Sequence, residues 1–572
     1  MTVRKLVDTA RASTSVSATV CVVGAGIAGL TAATRLARDR RVRVVIVESG
    51  VETDDPDTAA LDRIDNPARN YDGNRRARGL GGTSLAWDGK LLPISKGEVA
   101  QRPWLDVAHW PFDVAELDRF TAEIETMMDV DRASYEEDVA ALLDASGQLP
   151  RGDADFVQRW PKRPKPADRN IAHLCRKDIK TRANLDIWLG ATVSSFVFDP
   201  HNGRLRSIVA IDRHGHSLTV TADEFLIAAG ALESTRLLLV ADRDSGGMFC
   251  RDGDALGHYF NDHLGLDVAT VRPKDPRRTN LAFADRWTLG ASRHLHFELT
   301  PSAQQAGQIG SAYFDFGVEV PDRSALTQTR LAMHAARHRR AAAAAKSALA
   351  AAVDFPTLFD TALWRYRARH MYWPANAVVQ IKIRIEQLPH RRNRIVLSDS
   401  VDALGQPLMR FEFHKTDDEE RAFRFTVDKL RDFWAREFAG ITTLDWIPAV
   451  DDPDALLVDL SVEQAHPAGS TRMGTNPATS VVDPSLRAHA VPNLSVASAS
   501  VFPTSGSANP TLTVMQLAMR AADAISGRLS RYTYSPTEIA STGSAPQTDA
   551  LRSSTLSVRS HGRSTSVRPK WP

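Results

Sequence analysis

Gly24-Ala25-Gly26-Ile27-Ala28-Gly29 lies between an apolar run with strand character, Val20 to Val23, and a stretch of helical periodicity from about Ile27 to Ala37. A second apolar run, Val42 to Val47, follows. A G-x-G-x-x-G turn in that setting predicts a strand, a tight turn, a helix and a second strand in order. Gly24 permits the turn, Gly26 lets the main chain approach a ligand, and Gly29 lets the helix pack close to the strand. The unpaired amides at the helix N-terminus carry partial positive charge, so the turn predicts a pyrophosphate held by backbone alone.

Glu48 ends the second strand, nineteen residues after Gly29. A carboxylate there can accept hydrogen bonds from ribose hydroxyls and would repel a 2′-phosphate. A turn that served packing alone would not need that carboxylate at that spacing. The motif does not choose between NAD and FAD. Thirty residues beyond Glu48, Arg78-Gly79-Leu80-Gly81-Gly82-Thr83-Ser84 brings a second glycine pair, Gly81 and Gly82, and two hydroxyl residues, Thr83 and Ser84. Close main-chain approach with local donors suits an extended cofactor, although the segment taken alone also reads as an ordinary loop.

At 572 residues the chain exceeds what one hydrophobic core organises, and two intertwined domains are expected. A hydrophobic share of 43% with 24% charged residues is that of an ordinary globular protein. No run of about 18 apolar residues is available to span a bilayer. The net charge of +2 gives no basis for nucleic acid as the main partner. Cys21, Cys175 and Cys250 are far apart and form no C-x-x-C pair. That argues against a disulfide framework and a structural zinc site, predicts no metal, and fits a reducing, cytoplasmic setting. The leader lacks the apolar stretch of a secretory signal, so residues 1–17 read as a flexible arm.

Asp113 and Glu116 have the spacing of a capping box. Strand character returns at Ala191 to Phe198, which includes Val193, at Ile208 to Asp212, and at Phe225 to Ala229, the last running into Gly230 and a helix from about Leu232. Leu326 to Arg369 is rich in Ala and Arg and inclined to helix. Its basic face is open to three readings: an anionic membrane surface, an acidic partner, or plain solvation. Ala377 to Ile385 and Arg394 to Leu397 alternate as a half-buried antiparallel sheet would. From Tyr534 the chain is too polar to offset the entropy of ordering.

Two segments near the carboxy terminus remain: His466-Pro467-Ala468-Gly469-Ser470-Thr471-Arg472-Met473-Gly474, and Ala499 to Thr511, which ends Ser507-Ala508-Asn509-Pro510-Thr511. Together with the glycine turn, the GGTS segment, Gly230-Ala231-Leu232-Glu233-Ser234, Asn261-Asp262-His263 and Glu386-Gln387-x-Pro389, they resemble the glucose-methanol-choline (GMC) oxidoreductases in motif order over roughly residues 18 to 530. The sugar-dehydrogenase and pyranose-oxidase-like branch is the nearer resemblance. It implies an α/β fold, α+β overall: a Rossmann-like FAD-binding domain from residues 18–100, 160–270 and 455–530, and a substrate domain with an antiparallel sheet from 101–159 and 271–454. The termini, 1–17 and 531–572, are left flexible.

The resemblance also implies a cofactor, FAD, and two catalytic residues, His466 and Asn509. Oxidising an alcohol by hydride transfer to flavin N5 requires a base for the hydroxyl proton. Imidazole, with an ordinary pKa near 6.5, suits that role. Asn509 can donate to the same oxygen, and Asn509-Pro510-Thr511 also reads as the start of a helix aimed at the flavin. Ser498 and Ala499 are expected at the cofactor, with Ser498 where many relatives carry aspartate. Ala86 stands where pyranose oxidase carries a histidine that attaches flavin, so FAD is expected to be non-covalent. His263 reads as structural. The expected substrate is a sugar, polyol or other small alcohol, and the electron acceptor is open among oxygen, a quinone and a protein. A lyase of the hydroxynitrile-lyase type and a non-catalytic binding protein are the alternatives.

Overall fold

The glycine turn joins the strand Ser13–Val23 to the helix Ile27–Leu36, and Val44–Val47 returns parallel to that strand. These are features of a computed structural model that describes residues 2–52, 55–65, 76–143, 149–288, 290–337 and 340–532. Val20, Cys21, Val22 and Val44 to Val47 are buried. Strands covered on both faces read as continuous apolar runs, which is why no alternation marks them.

The sheet runs Thr2–Lys5, Leu185–Leu189, Val44–Val47, Ser13–Val23, Ser217–Ile227, Leu205–Ile211, Thr192–Phe198, with Leu494–Val496 parallel to the end of Ser217–Ile227. Its first five strands are parallel and the last two pairings antiparallel. The carboxyl ends of three strands therefore open side by side at Gly24, Ala228 and Ala497. In open α/β sheets that edge is where ligands bind.

The amino-terminal arm is a correction. Thr2–Lys5 pairs with Leu185–Leu189, and residues 13 to 17 are the first half of a strand whose ladder with Ser217–Ile227 begins at Ser13. Main-chain pairing to a long partner orders a segment whose Ser and Thr side chains point outward, and an apolar core is not required there.

A second, antiparallel sheet runs Thr442–Trp446, His263–Pro273, Val378–Glu386, Ala312–Glu319, His296–Leu299, Phe156–Arg159. The expected strand after Ala377 lies in this sheet. Arg394–Val401 instead forms a separate hairpin with Pro407–Glu412. Helix Asp417–Glu437 begins at a capping box of Thr416 and Glu419 and buries Phe423, Leu430, Phe433 and Trp434 in the same core as Phe156, Phe297 and Phe314. The boundary expected at residue 270 falls inside His263–Pro273, so the chain enters this sheet at His263.

The capping box expected at Asp113 and Glu116 does not form. Asp113 accepts from the Ala115 amide, and Glu116 reaches Arg520. The Ala- and Arg-rich segment is helical as expected, as Ala325–Arg337, Ala341–Val353 and Phe355–Leu363. Residues up to Gly527 form one compact unit, and Arg531 and Tyr532 are helical. The expected disordered tail from Tyr534 lies outside the described residues.

Candidate active site

One elongated cleft crosses the carboxyl edge of the parallel sheet. Gly24, Gly26, Glu48, Gly82, Thr83, Ser84, Val193, Gly230, Ser498, Ala499, Pro510, Thr511 and His466 all line it. Gly29, Gly81 and Asn509 do not. Gly29 works from behind: a Cβ there would stand 1.9 Å from the Gly24 carbonyl oxygen, so the helix can lie this close to the turn only with glycine. Gly24 has φ +104°, the left-handed side of the map. Gly81 shapes the GGTS turn, where Ser84 Oγ donates to its carbonyl at 2.6 Å and accepts from the Ile171 amide at 3.2 Å.

Glu48 is buried, and its carboxylate accepts from three main-chain amides: Ala25 at 2.7 Å, Gly50 at 2.8 Å and Gly79 at 3.0 Å. Burial raises its pKa, while the amides and Arg78 oppose that rise. The residue thus ties the first glycine turn to the GGTS approach, a brace that spacing alone did not reveal. A carboxylate has about four acceptor positions, so one remains for a ligand. Arg78 donates to Ser49 Oγ at 3.1 Å and pairs with Asp62 and Glu233 at the same end of the cleft.

His466 stands at the other end. Its Nε2 is 3.1 Å from Asn509 Nδ2 and its Nδ1 is 2.8 Å from His263 Nδ1. Asp262 Oδ1 accepts from the main-chain amides of both His263, at 2.7 Å, and His466, at 2.8 Å, and so fixes the two backbones relative to each other. Burial holds the His466 pKa well below 6.5, helped by His263, Arg384 and Lys90. The helix expected at Asn509 begins at Thr511, with the Pro510 carbonyl accepting from Val514. Asn509 therefore lies ahead of the cap and turns its amide to His466. Its Oδ1 is buried with no hydrogen-bond partner.

Three buried carboxylates hold the turn that presents Asn509. Glu386 accepts from the Gly506 amide at 2.9 Å, Glu98 from the Ser507 amide, and Glu298 from Ser507 Oγ at 2.6 Å. Arg102 pairs with Glu386, and Arg159 with Glu98 and Glu298. Burial and the neighbouring Glu98 push Glu298 up to about 7. Only Glu386 had a sequence signal, the Glu386-Gln387 motif. Glu98 and Glu298 come from distant, unremarkable segments.

Beside His466, Arg384 donates to Gln464 at 3.0 Å and pairs with Asp315, which also takes Lys90 at 3.0 Å. Within the same cluster, His294, His296 and Asp315 bring ligand-type atoms within 4.8 Å of one another. Asp315 is already held by two cations, and His294 Nδ1 lies 2.5 Å from Asp285. The group is a buried ion-pair network.

The sequence profile described as "GMC oxidoreductase" matches residues 389–518, the stretch that carries His466 and Asn509. Over that stretch the chain is similar to the GMC oxidoreductases. A second profile, "NAD(P)-binding Rossmann-like domain", matches residues 22–56, the glycine turn through Glu48. The large subunit of fructose dehydrogenase from Gluconobacter japonicus is 29% identical over 59% of the chain and 53% of that protein. An oxygen-dependent choline dehydrogenase from Staphylococcus epidermidis is 24% identical over 61% of the chain and 57% of that protein. The matched region thus spans about half the length of these relatives. Formate oxidase from Aspergillus oryzae has the same fold, with a TM-score of 0.56 at 18% identity over 90% of this chain and 99% of that one.

The cleft suits an extended dinucleotide cofactor. The cleft fits such a group on its own terms: glycine main chain at Gly26 and Gly82, a helix N-terminus at Ile27 with no side-chain cap, and a spare acceptor position at Glu48.

Proposed function

We propose that this protein oxidises the CH–OH group of a small alcohol, with sugars and polyols the favoured class, using His466 as base. FAD, held without a covalent link, would supply the acceptor for the hydride. The observation that carries the reading is the His466–Asn509 pair, 3.1 Å apart at the end of a dinucleotide cleft.

The hydrogen-bond network assigns the proton positions. Asn509 Nδ2 is a donor, so His466 Nε2 accepts, which puts the His466 proton on Nδ1, donated to His263 Nδ1. His263 then carries its own proton on Nε2. A substrate hydroxyl entering between Asn509 and His466 meets a lone pair on Nε2 and an N–H from Asn509. His466 takes the hydroxyl proton while Asn509 steadies the oxygen as negative charge develops on it. The depressed His466 pKa keeps the base neutral before the proton arrives.

Glu48, the two glycine turns, Val193, Gly230, Ser498, Ala499 and the Thr511 helix start would hold FAD. Ser498 Oγ accepts from the Ser500 amide and so shapes its turn, a role a hydroxyl fills where relatives have aspartate. Ala86 offers no nucleophile for covalent attachment. We assign the FAD part to residues 18–100, 160–262 and 455–530, and the substrate part to the sheet entered at His263 together with 101–159. Lys90 and Arg384, charged neighbours of His466, favour a polar, hydroxyl-rich substrate, and the names of the fructose and choline relatives favour oxidation over lyase chemistry. Oxygen, a quinone and a protein remain as acceptors, and a cytoplasmic location is part of the same proposal.

Anaerobic titration of the flavin-loaded protein with a panel of sugars, polyols and simple alcohols tests the reading. Bleaching of the flavin absorbance by at least one hydroxyl compound is expected. Cyanohydrin turnover with unbleached flavin would overturn it.

A further inference from the structure

The helices after residue 324 leave apolar side chains outside. Phe355, Phe359 and Leu363 follow at steps of four on one α-helix, a stripe about 80° wide, and Tyr366 lies in the π-helical turn that continues it. All four are exposed, Phe355 by 65% and Tyr366 by 83%. Leu349 and Val353, one turn apart on the preceding helix, are exposed by 73% and 83%. Of seventeen exposed large apolar residues among those described, eight fall between 325 and 368. Single exposed apolar residues are ordinary, but such a concentration marks a contact surface.

The same segment is the basic part of the chain. Residues 321–370 hold nine Lys and Arg against three Asp, a net +6, so the remainder of a chain of net +2 carries −4. Arg340, Lys346, Arg367 and Arg369 are exposed. Two of the three acids have local duties: Asp354 accepts from the Thr357 amide to cap its helix, and Asp360 accepts from the Tyr372 hydroxyl. Apolar residues within a cationic surround match one kind of partner, a lipid surface with anionic headgroups over an apolar interior. Among the described residues no helix is long and apolar enough to cross a membrane, so such contact is peripheral.

We propose that the helices of residues 325–368 seat the protein on an anionic membrane surface, with Phe355, Phe359, Leu363 and Tyr366 entering the headgroup boundary and Arg367 and Arg369 meeting lipid phosphates. The proposal is independent of the catalytic reading.

The test is co-sedimentation of the full, flavin-loaded chain with vesicles of phosphatidylcholine alone or mixed with phosphatidylglycerol. Binding to the mixed vesicles is expected, with little to phosphatidylcholine and a steep loss in high salt. The Phe355→Ser/Phe359→Ser double variant should bind about tenfold or more weakly. R367E/R369E should lose about fivefold per charge. Both should keep the parent's flavin content and unfolding temperature, since these side chains are exposed. Failure to bind phosphatidylglycerol vesicles, or equal binding by both variants, would overturn the proposal. So would sedimentation velocity showing a dimer that the serine variant dissolves and vesicles do not displace, because the face would then be covered by a second copy.

Discussion

His263 Nδ1 and His466 Nδ1 stand 2.8 Å apart with their rings nearly perpendicular, at 82°. Two like nitrogens at that distance require one to donate and the other to accept, so each ring fixes the other's tautomer. The sequence reading of His263 as structural is thereby sharpened: its place is structural, and its effect falls on the proposed base, His466. His263→Ala frees His466 to put its proton on Nε2, where it cannot act, and flavin reduction by substrate should slow about ten- to a hundredfold. His263→Gln offers an amide oxygen to Nδ1–H and should restore much of the rate. Equal losses in both variants with an unchanged pH profile would assign His263 to packing alone.

The pH dependence has a definite sign. His466 must be neutral to accept a proton, and its pKa lies well below 6.5, so the reduction rate should stay level down through pH 6.5 and fall only at lower pH. His263 is one cause of that depression. In His263→Ala the acid limb should therefore move toward higher pH, which stopped-flow flavin reduction across a pH series reads directly.

His466→Ala removes the proposed base without touching the Glu48 end of the site. Reduction should drop about a hundredfold to ten-thousandfold while flavin stays bound at the parent's stoichiometry. An unimpaired rate, read by anaerobic stopped-flow absorbance, would place the base elsewhere.

The parts of the site that sequence made legible are those where one local pattern carries its own physical reason. The turn from Gly24 to Gly29 is local: Gly24 takes a positive φ, and Gly29 answers to the Gly24 carbonyl inside the turn. His466 and Asn509 are forty-three residues apart and became a pair only through motif resemblance; their 3.1 Å contact depends on how separate loops meet. The clamp on Ser507 joins Glu98, Glu298 and Arg159 across segments with no shared pattern, so periodicity could not have found it. The amino-terminal arm is not legible in its own residues, because a Ser- and Thr-rich strand draws its order from a ladder with residues some two hundred positions away.

Gly29→Ala should be disabling. The added carbon would stand 1.9 Å from the Gly24 oxygen, a main-chain atom that can move only by shifting the turn or the helix. About 1–3 kcal/mol of stability should be lost, and flavin content should fall with it. Gly440→Ala, where an added carbon meets nothing within 4 Å, is the control and should change stability by less than about 0.5 kcal/mol. Flavin absorbance per protein and thermal unfolding report both.

Glu298 supplies a prediction about stability and pH. Its folded pKa is about 7, against an ordinary value of 4.5, because it is buried beside Glu98. Between those values the folded protein holds a proton that the unfolded chain releases, so this group's contribution falls as pH rises through that window. Glu298→Gln keeps the shape and the acceptor for Ser507 Oγ but cannot ionise. The variant should match the parent's unfolding temperature near about pH 5 and exceed it near about pH 8, as the parent's value declines. A parent whose unfolding temperature follows the variant's at both pH values would mean that Arg159 holds Glu298 ionised throughout, and the turn that presents Asn509 would then be fixed by an ion pair in place of a neutral hydrogen bond.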